Sequence, residues 1–147
     1  MKTGKNTPGK RLLWGALLTL SLSIMPMTSA GSSSLYGRTL LELINTHRQE
    51  HGLHTLRTDA GLHRLARQHS FEMFRQQRIN HLGFRDRFDR AGSTLCVENV
   101  GGGHTNARQQ FEAWRNSSPH NQNMLHNGIQ KAGIVEINNY VTFFACR

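Results

Sequence analysis

Apolar residues recur at helical spacing in three stretches and cluster at strand length in three others, and this pattern predicts most of the elements. Leu40, Leu41 and Ile44 share one helix face, and Gly52 is placed to end that helix. A second helix is predicted from Thr58 or Asp59 to about Gln77, with Leu62, Leu65, Ala66, His69 and Met73 on one side. Phe84–Ala91 reads as a short charged helix or turn that Gly92-Ser93 breaks, and Asn106–Asn116 as a third clear helix carrying Phe111 and Trp114. Leu95–Val100 is a predicted strand running into Gly101-Gly102-Gly103. Lys131–Ile137 and Tyr140–Cys146 are two more, joined at Asn138-Asn139, a hairpin signal. Helices interspersed with a few antiparallel strands give an α+β class, with the sheet packed between helices as an α-β-α sandwich.

The first thirty residues follow a different pattern. Lys2, Lys5, Lys10 and Arg11 precede an uncharged run from Leu12 to Met25, and Thr28-Ser29-Ala30 follows. This is the layout of a secretory signal peptide cut after Ala30. An uncleaved anchor is the alternative, but fourteen residues fall short of the roughly 20 a membrane-spanning helix needs. The expected organisation is a signal peptide over 1–30, a flexible lead over 31–39 and one domain over 40–147. The expected location is secreted or periplasmic, with membrane contact only through the leader.

Losing the leader changes the charge. The chain carries +9, whereas the fourteen basic and nine acidic residues after Ala30 leave +5, and all of those basic residues but Lys131 are Arg. Scattered and interleaved with acids, they read first as a solubilising surface and second as an attraction for anionic envelope polymers or lipid headgroups. A nucleic-acid partner is not expected. Cys96 and Cys146 form an even pair in an oxidising compartment and read as one disulfide, with a reactive thiol as the alternative.

Several motifs compete for attention. His47-Arg48-Gln49-Glu50-His51 matches the inverted zincin pattern, two His one helical turn apart. Yet His51 abuts the helix-ending Gly52, where the macrodipole favours His for ordinary reasons. Gly101-Gly102-Gly103 before a helix could cradle a phosphate, but it lacks the P-loop Lys and a surrounding βαβ unit, so it reads as a flexible loop. His69 lies on an apolar face and is expected as a hydrogen-bonded core or near-site residue. His54, His63, His104 and His126 have no supporting context. No G-x-S-x-G elbow supports a serine hydrolase.

Three segments remain: Asn80-His81-Leu82-Gly83, Cys96-Val97-Glu98-Asn99-Val100, and Ser117-Ser118-Pro119-His120-Asn121-Gln122-Asn123. With the helix carrying Asn45-x-x-Arg48-x-x-x-Gly52-Leu53, their order resembles the CAP superfamily of cysteine-rich secretory, antigen 5 and pathogenesis-related proteins. The likeness is nearest to the short bacterial branch and covers about Leu40 to Cys146. It implies an α-β-α sandwich with a central cleft lined by two His and up to two acids, where some members bind zinc or another divalent cation. His81 matches the first His, with Asn80 in place of Ser. Glu98-Asn99 matches the Glu-Asn pair, with Val97 in place of Gly. His120 matches the second His and Asn123 the Asn beyond it. Ser117 stands where eukaryotic members have the second acid, which weakens any mechanism needing two carboxylates.

His81, Glu98 and His120 are therefore the candidate catalytic residues, and His81 and His120 the candidate ligands for Zn2+ or another divalent cation. Glu98 would orient one imidazole or act as a base on bound water. A buried polar network without metal is the structural alternative. Two functions stay open. One is a secreted binding module, expected as a monomer, for an envelope, lipid or protein ligand. The other is a metal-assisted, peptidase-like hydrolase. The resemblance does not choose, since family members share no single reaction.

Overall fold

In a computed structural model of the chain, the described residues are Met1, Gly4 and 34–147. The expected leader and its cleavage site fall outside them, those two residues apart. The first helix, α1, spans Leu35–Glu50, and the Ser34 side chain caps it by accepting from the Gly37 N–H. Helical structure thus begins inside the span expected as a flexible lead. A short strand β1 (Arg57–Thr58) leads into α2 (Ala60–Gln76), whose N-cap Asp59 accepts from the Leu62 N–H. The chain continues through α3 (Phe84–Ala91), β2 (Cys96–Gly102), α4 (Ala107–Arg115), α5 (Ser118–Met124), β3 (Lys131–Ile137) and β4 (Tyr140–Cys146).

The four strands lie in the order β1-β3-β4-β2. β3 and β4 form the expected hairpin, with Asn138 and Asn139 both at positive φ, the backbone a two-residue primed turn requires. β2 runs antiparallel to β4 with Cys96 directly opposite Cys146, and those two residues form the disulfide. β1 pairs with β3 in parallel over two residues only. Helices cover both faces. Leu40, Ile44, Phe111, Trp114 and Met124 pack with Phe143 on one side, from α1, α4 and α5. Leu62, Leu65 and Ala66 of α2 pack with Phe144 on the other, where Phe84 of α3 joins them. Adjacent residues of a strand face opposite ways, so Phe143 and Phe144 serve the two cores separately.

Two features differ from the expectation. Gly101 and Gly102 belong to β2 rather than to a flexible loop. Their lack of a side chain serves close packing. A Cβ on Gly101 would lie 2.5 Å from the Gln110 side chain, and one on Gly102 would lie 2.9 Å from Ile79. The second feature is α5, a helix with Pro119 in its first turn and only Met124 buried, which no apolar periodicity announces.

Candidate functional site

β2 is an edge strand, and the two helical layers meet around it. Alternation along β2 sends the Glu98 side chain toward α3 and the Asn99 side chain toward α5. Asn99 donates to the His120 carbonyl at 2.9 Å, and Asn123 donates to Asn99 Oδ1 at 2.9 Å. Asn123 also donates to the Glu98 carbonyl at 3.0 Å, and the Trp114 indole N–H to the Val100 carbonyl at 3.2 Å. These bonds occupy carbonyls on the strand's outer edge, where a strand otherwise invites pairing with another chain.

Glu98 is the centre of the site. Its side chain is almost wholly buried, and Arg87 grips it with two parallel bonds, Nε to Oε2 at 2.7 Å and Nη2 to Oε1 at 2.8 Å. His81 Nδ1 lies 2.9 Å from Oε1, and His69 Nε2 lies 3.9 Å from the same oxygen while bonding the Asn80 carbonyl at 2.8 Å. Burial pushes the Glu98 pKa up. The bonds from His81 and Arg87, with the charge of Arg87 and the electrostatic influence of His69, outweigh it and hold the carboxyl below its usual value.

The two candidate imidazoles are anchored in parallel fashion. An ionised carboxylate only accepts, so His81 donates to Glu98 through Nδ1–H, and its Nε2 makes no hydrogen bond among the described residues. His120 Nδ1 lies 2.9 Å from Ser117 Oγ. Ser117, standing where the second acid would be, is the N-cap of α5 but makes no side-chain capping bond. Its hydroxyl holds His120 instead. The pKa of His120 is lowered, first by burial and then by its electrostatic interaction with His81, which favours the neutral ring that a metal ligand must have. A cavity of about 300 Å³ is lined by His81, Phe84, Cys96, Val97, Glu98 and Asn123.

His81, Glu98 and Asn123 line one cavity at the β2 edge, and His120 is tied beside it through its carbonyl, which Asn99 holds, without its ring being among the lining residues. Among the described residues no group of three or more His, Cys, Asp or Glu is arranged to hold a metal, so a cation here would rest on two imidazoles. The zincin-like pair has other work. His47 is buried, with Nε2 2.8 Å from Asn121 Oδ1 and its ring edge-on to Phe111. His51 Nδ1 bonds the His47 carbonyl. Arg48 between them is also buried and donates to the His54, Met124 and His126 carbonyls, tying α1 to the segment after His120.

Sequence reasoning missed Arg87. A signal was present: Phe84, Arg87, Phe88 and Ala91 fall at i, i+3, i+4 and i+7, which puts a guanidinium on an apolar face, where it needs a buried partner.

These environments set an acid limit on stability. His120 stays neutral in the fold at pH values where the unfolded imidazole, near 6.5, already binds a proton, so stability should start to fall as pH drops below that value. Glu98 stays ionised below 4.5 in the fold, so its contribution is complete above that value and is lost as pH falls through its lower folded pKa. Urea midpoints measured at stepped pH should show both declines. His120→Ala should reduce the first of them, leaving the share that His63, whose pKa is likewise lowered by burial and by Arg67, contributes.

A sequence profile of the cysteine-rich secretory protein (CAP) family matches residues 41–146. The uncharacterized protein YkwD of Bacillus subtilis (strain 168) is 31% identical over 115 residues, 73% of this chain and 45% of that protein. The chain therefore spans less than half of that relative. An extracellular protein containing an SCP domain from Bacillus anthracis str. Ames superposes with a TM-score of 0.72 at 24% identity, over 76% of this chain and 40% of its own. An outer surface protein from Borrelia burgdorferi gives 0.67 at 21%, over 76% and 92%.

Proposed function

Because the chain belongs to the cysteine-rich secretory protein (CAP) family, we propose that it is an exported CAP domain whose cleft binds a divalent cation through His81 and His120 and engages an envelope, lipid or extracellular partner. Solved relatives of the same fold described as extracellular or outer surface proteins support export, as does the leader-like sequence of residues 1–30. The observation that carries the cation is the anchoring of both rings through Nδ1, His81 by Glu98 and His120 by Ser117, while neither Nε2 has a hydrogen-bond partner among the described residues and both are open to a ligand. Bound there, an ion such as Zn2+ would supply a Lewis acid with open positions for an anionic group of the partner.

The same geometry favours a binding module over a hydrolase. Glu98 has both oxygens engaged by Arg87 and His81 and is held below its usual pKa, the reverse of what a general base at neutral pH requires. Its part in this reading is to orient His81.

Calorimetric titration with zinc tests the proposal. His81→Ala and His120→Ala should each weaken binding about tenfold or more, since two ligands leave no redundancy. Glu98→Gln should act more mildly, because an amide can still accept from His81. His47→Ala and His51→Ala should leave binding unchanged. No binding by the parent protein would reduce the site to a metal-free hydrogen-bonded cleft, and loss confined to the His47 and His51 variants would move it to α1.

A further inference from the structure

The outward face of α2 carries a second feature, on the sheet face opposite His120. Arg64, Arg67, Gln68 and Phe71 of α2, Arg90 near the end of α3 and Ile137 at the end of β3 line a cavity of about 580 Å³. That size lies within the range of ligand sites. Phe71 is 47% exposed at its floor. Two adjoining cavities lengthen it into a groove. One of about 460 Å³ shares Arg67, Phe71 and Ile137 and ends at Glu136, and one of about 360 Å³ shares Arg64 and Arg90 and ends at Asp59.

Charge within the groove is unbalanced. Arg90 is bonded to Asp86 and Gln68, and Gln68 to Glu72. Among the described residues, however, neither Arg64 nor Arg67 lies within ion-pair distance of a carboxylate. Three positions apart on a helix, these two guanidiniums are neighbours and repel, a cost an anion between them would reverse. Carboxylates are their geometric match. We propose that this groove docks an extended acidic segment of a partner protein. Its carboxylates pair with Arg64 and Arg67, and one of its apolar side chains covers Phe71 and Ile137.

Three observations select this occupant. The cations are spaced along the groove, which suits several charges on a chain better than a single headgroup. The apolar floor is two side chains wide, room for one residue rather than an acyl chain. Asp59 and Glu136 at the two ends repel further acid and so confine the acidic stretch to the middle. The chain's own residues before Ser34 include Lys2, Lys5, Lys10 and Arg11 and no acid, so they do not match in charge. Arginine and aromatic side chains are also the types enriched at protein interfaces.

Fluorescence anisotropy with a labelled peptide, glutamates flanking one phenylalanine, tests this. Binding should saturate and weaken as ionic strength rises. The double variant R64E/R67E should weaken it about tenfold or more, as expected for losing charge-assisted bonds, and Phe71→Ser should weaken it less. All three side chains are exposed, so an unchanged melting temperature should accompany these losses. His81→Ala should bind the peptide normally, which separates this groove from the cation cleft. Equal binding by R64E/R67E, equal binding of a peptide with Gln for Glu, or no saturable binding would overturn the proposal. So would co-sedimentation with phosphatidylglycerol vesicles that R64E/R67E abolishes while the peptide stays unbound, because the groove would then serve a lipid surface.

Discussion

Arg87→Met should destabilise the protein by about 3–5 kcal/mol, the usual cost of stranding one member of a buried ion pair. Arg87 is 4% exposed and holds both oxygens of Glu98 while its Nη1 donates to the Leu82 carbonyl. Methionine keeps much of the side-chain volume, so the loss would report charge rather than a cavity. Without the guanidinium, burial dominates at Glu98, and His81, half exposed, is the one strong donor left. The Glu98 pKa should then rise above its unfolded value, so the variant's deficit should be largest at neutral pH and shrink as pH falls and the carboxyl takes up a proton. Urea unfolding at neutral and acidic pH measures both effects. The double variant R87M/E98L should recover most of the loss, because an apolar pair of similar volume can replace a buried ion pair at little cost. A single variant within about 1 kcal/mol of the parent, the value of an exposed pair, would mean that Arg87 does not hold the site.

Arg87 also marks where the sequence stopped being legible. α2 and the β3–β4 hairpin could be placed nearly to the residue, since each couples a clear apolar period to its own stop signal: Asp59 capping α2, and Asn138-Asn139 turning the hairpin. The disulfide followed from cysteine parity. β1, at two residues, is too short to show any period. α5 was hidden for a different reason: it buries only Met124 against the core, and what holds it is polar. Asn99 and Asn123 link it to β2, and Asn121 links it to His47. Hydrophobic spacing cannot register such bonds. His81, Glu98 and His120 could be named because they resemble a family motif, but their environment could not. In sequence Glu98 reads as an orienter of an imidazole or a base on water, and only the placement of α3 shows that Arg87 already occupies its oxygens. Ser117 likewise reads in sequence as a missing acid, whereas in the fold it bonds His120.

Reducing Cys96–Cys146 should have a comparable effect and should reach the cleft. The bond closes a loop spanning 50 positions, a constraint on the unfolded chain that the entropy model values at about 4 kcal/mol. For a domain of this size that corresponds to a fall in melting temperature of about 15 °C. The site is affected because, among the described residues, β2 is hydrogen-bonded to a strand on one side only, that of β4. The disulfide joins the first residue of β2 to the last of β4, two positions before Glu98. Cys96 itself lines the cleft. Without the bond the start of β2 can fray, and Glu98 would lose its fixed position between Arg87 and His81. The double variant C96S/C146S should therefore melt well below the parent and show faster amide exchange from Cys96 to Glu98 than in β3. Zinc affinity should fall with it if the cleft binds the ion, whereas the acidic peptide at Arg64 and Arg67 should bind as before. A melting temperature within a few degrees of the parent would show that β2 is held by its hydrogen bonds and by α5 alone.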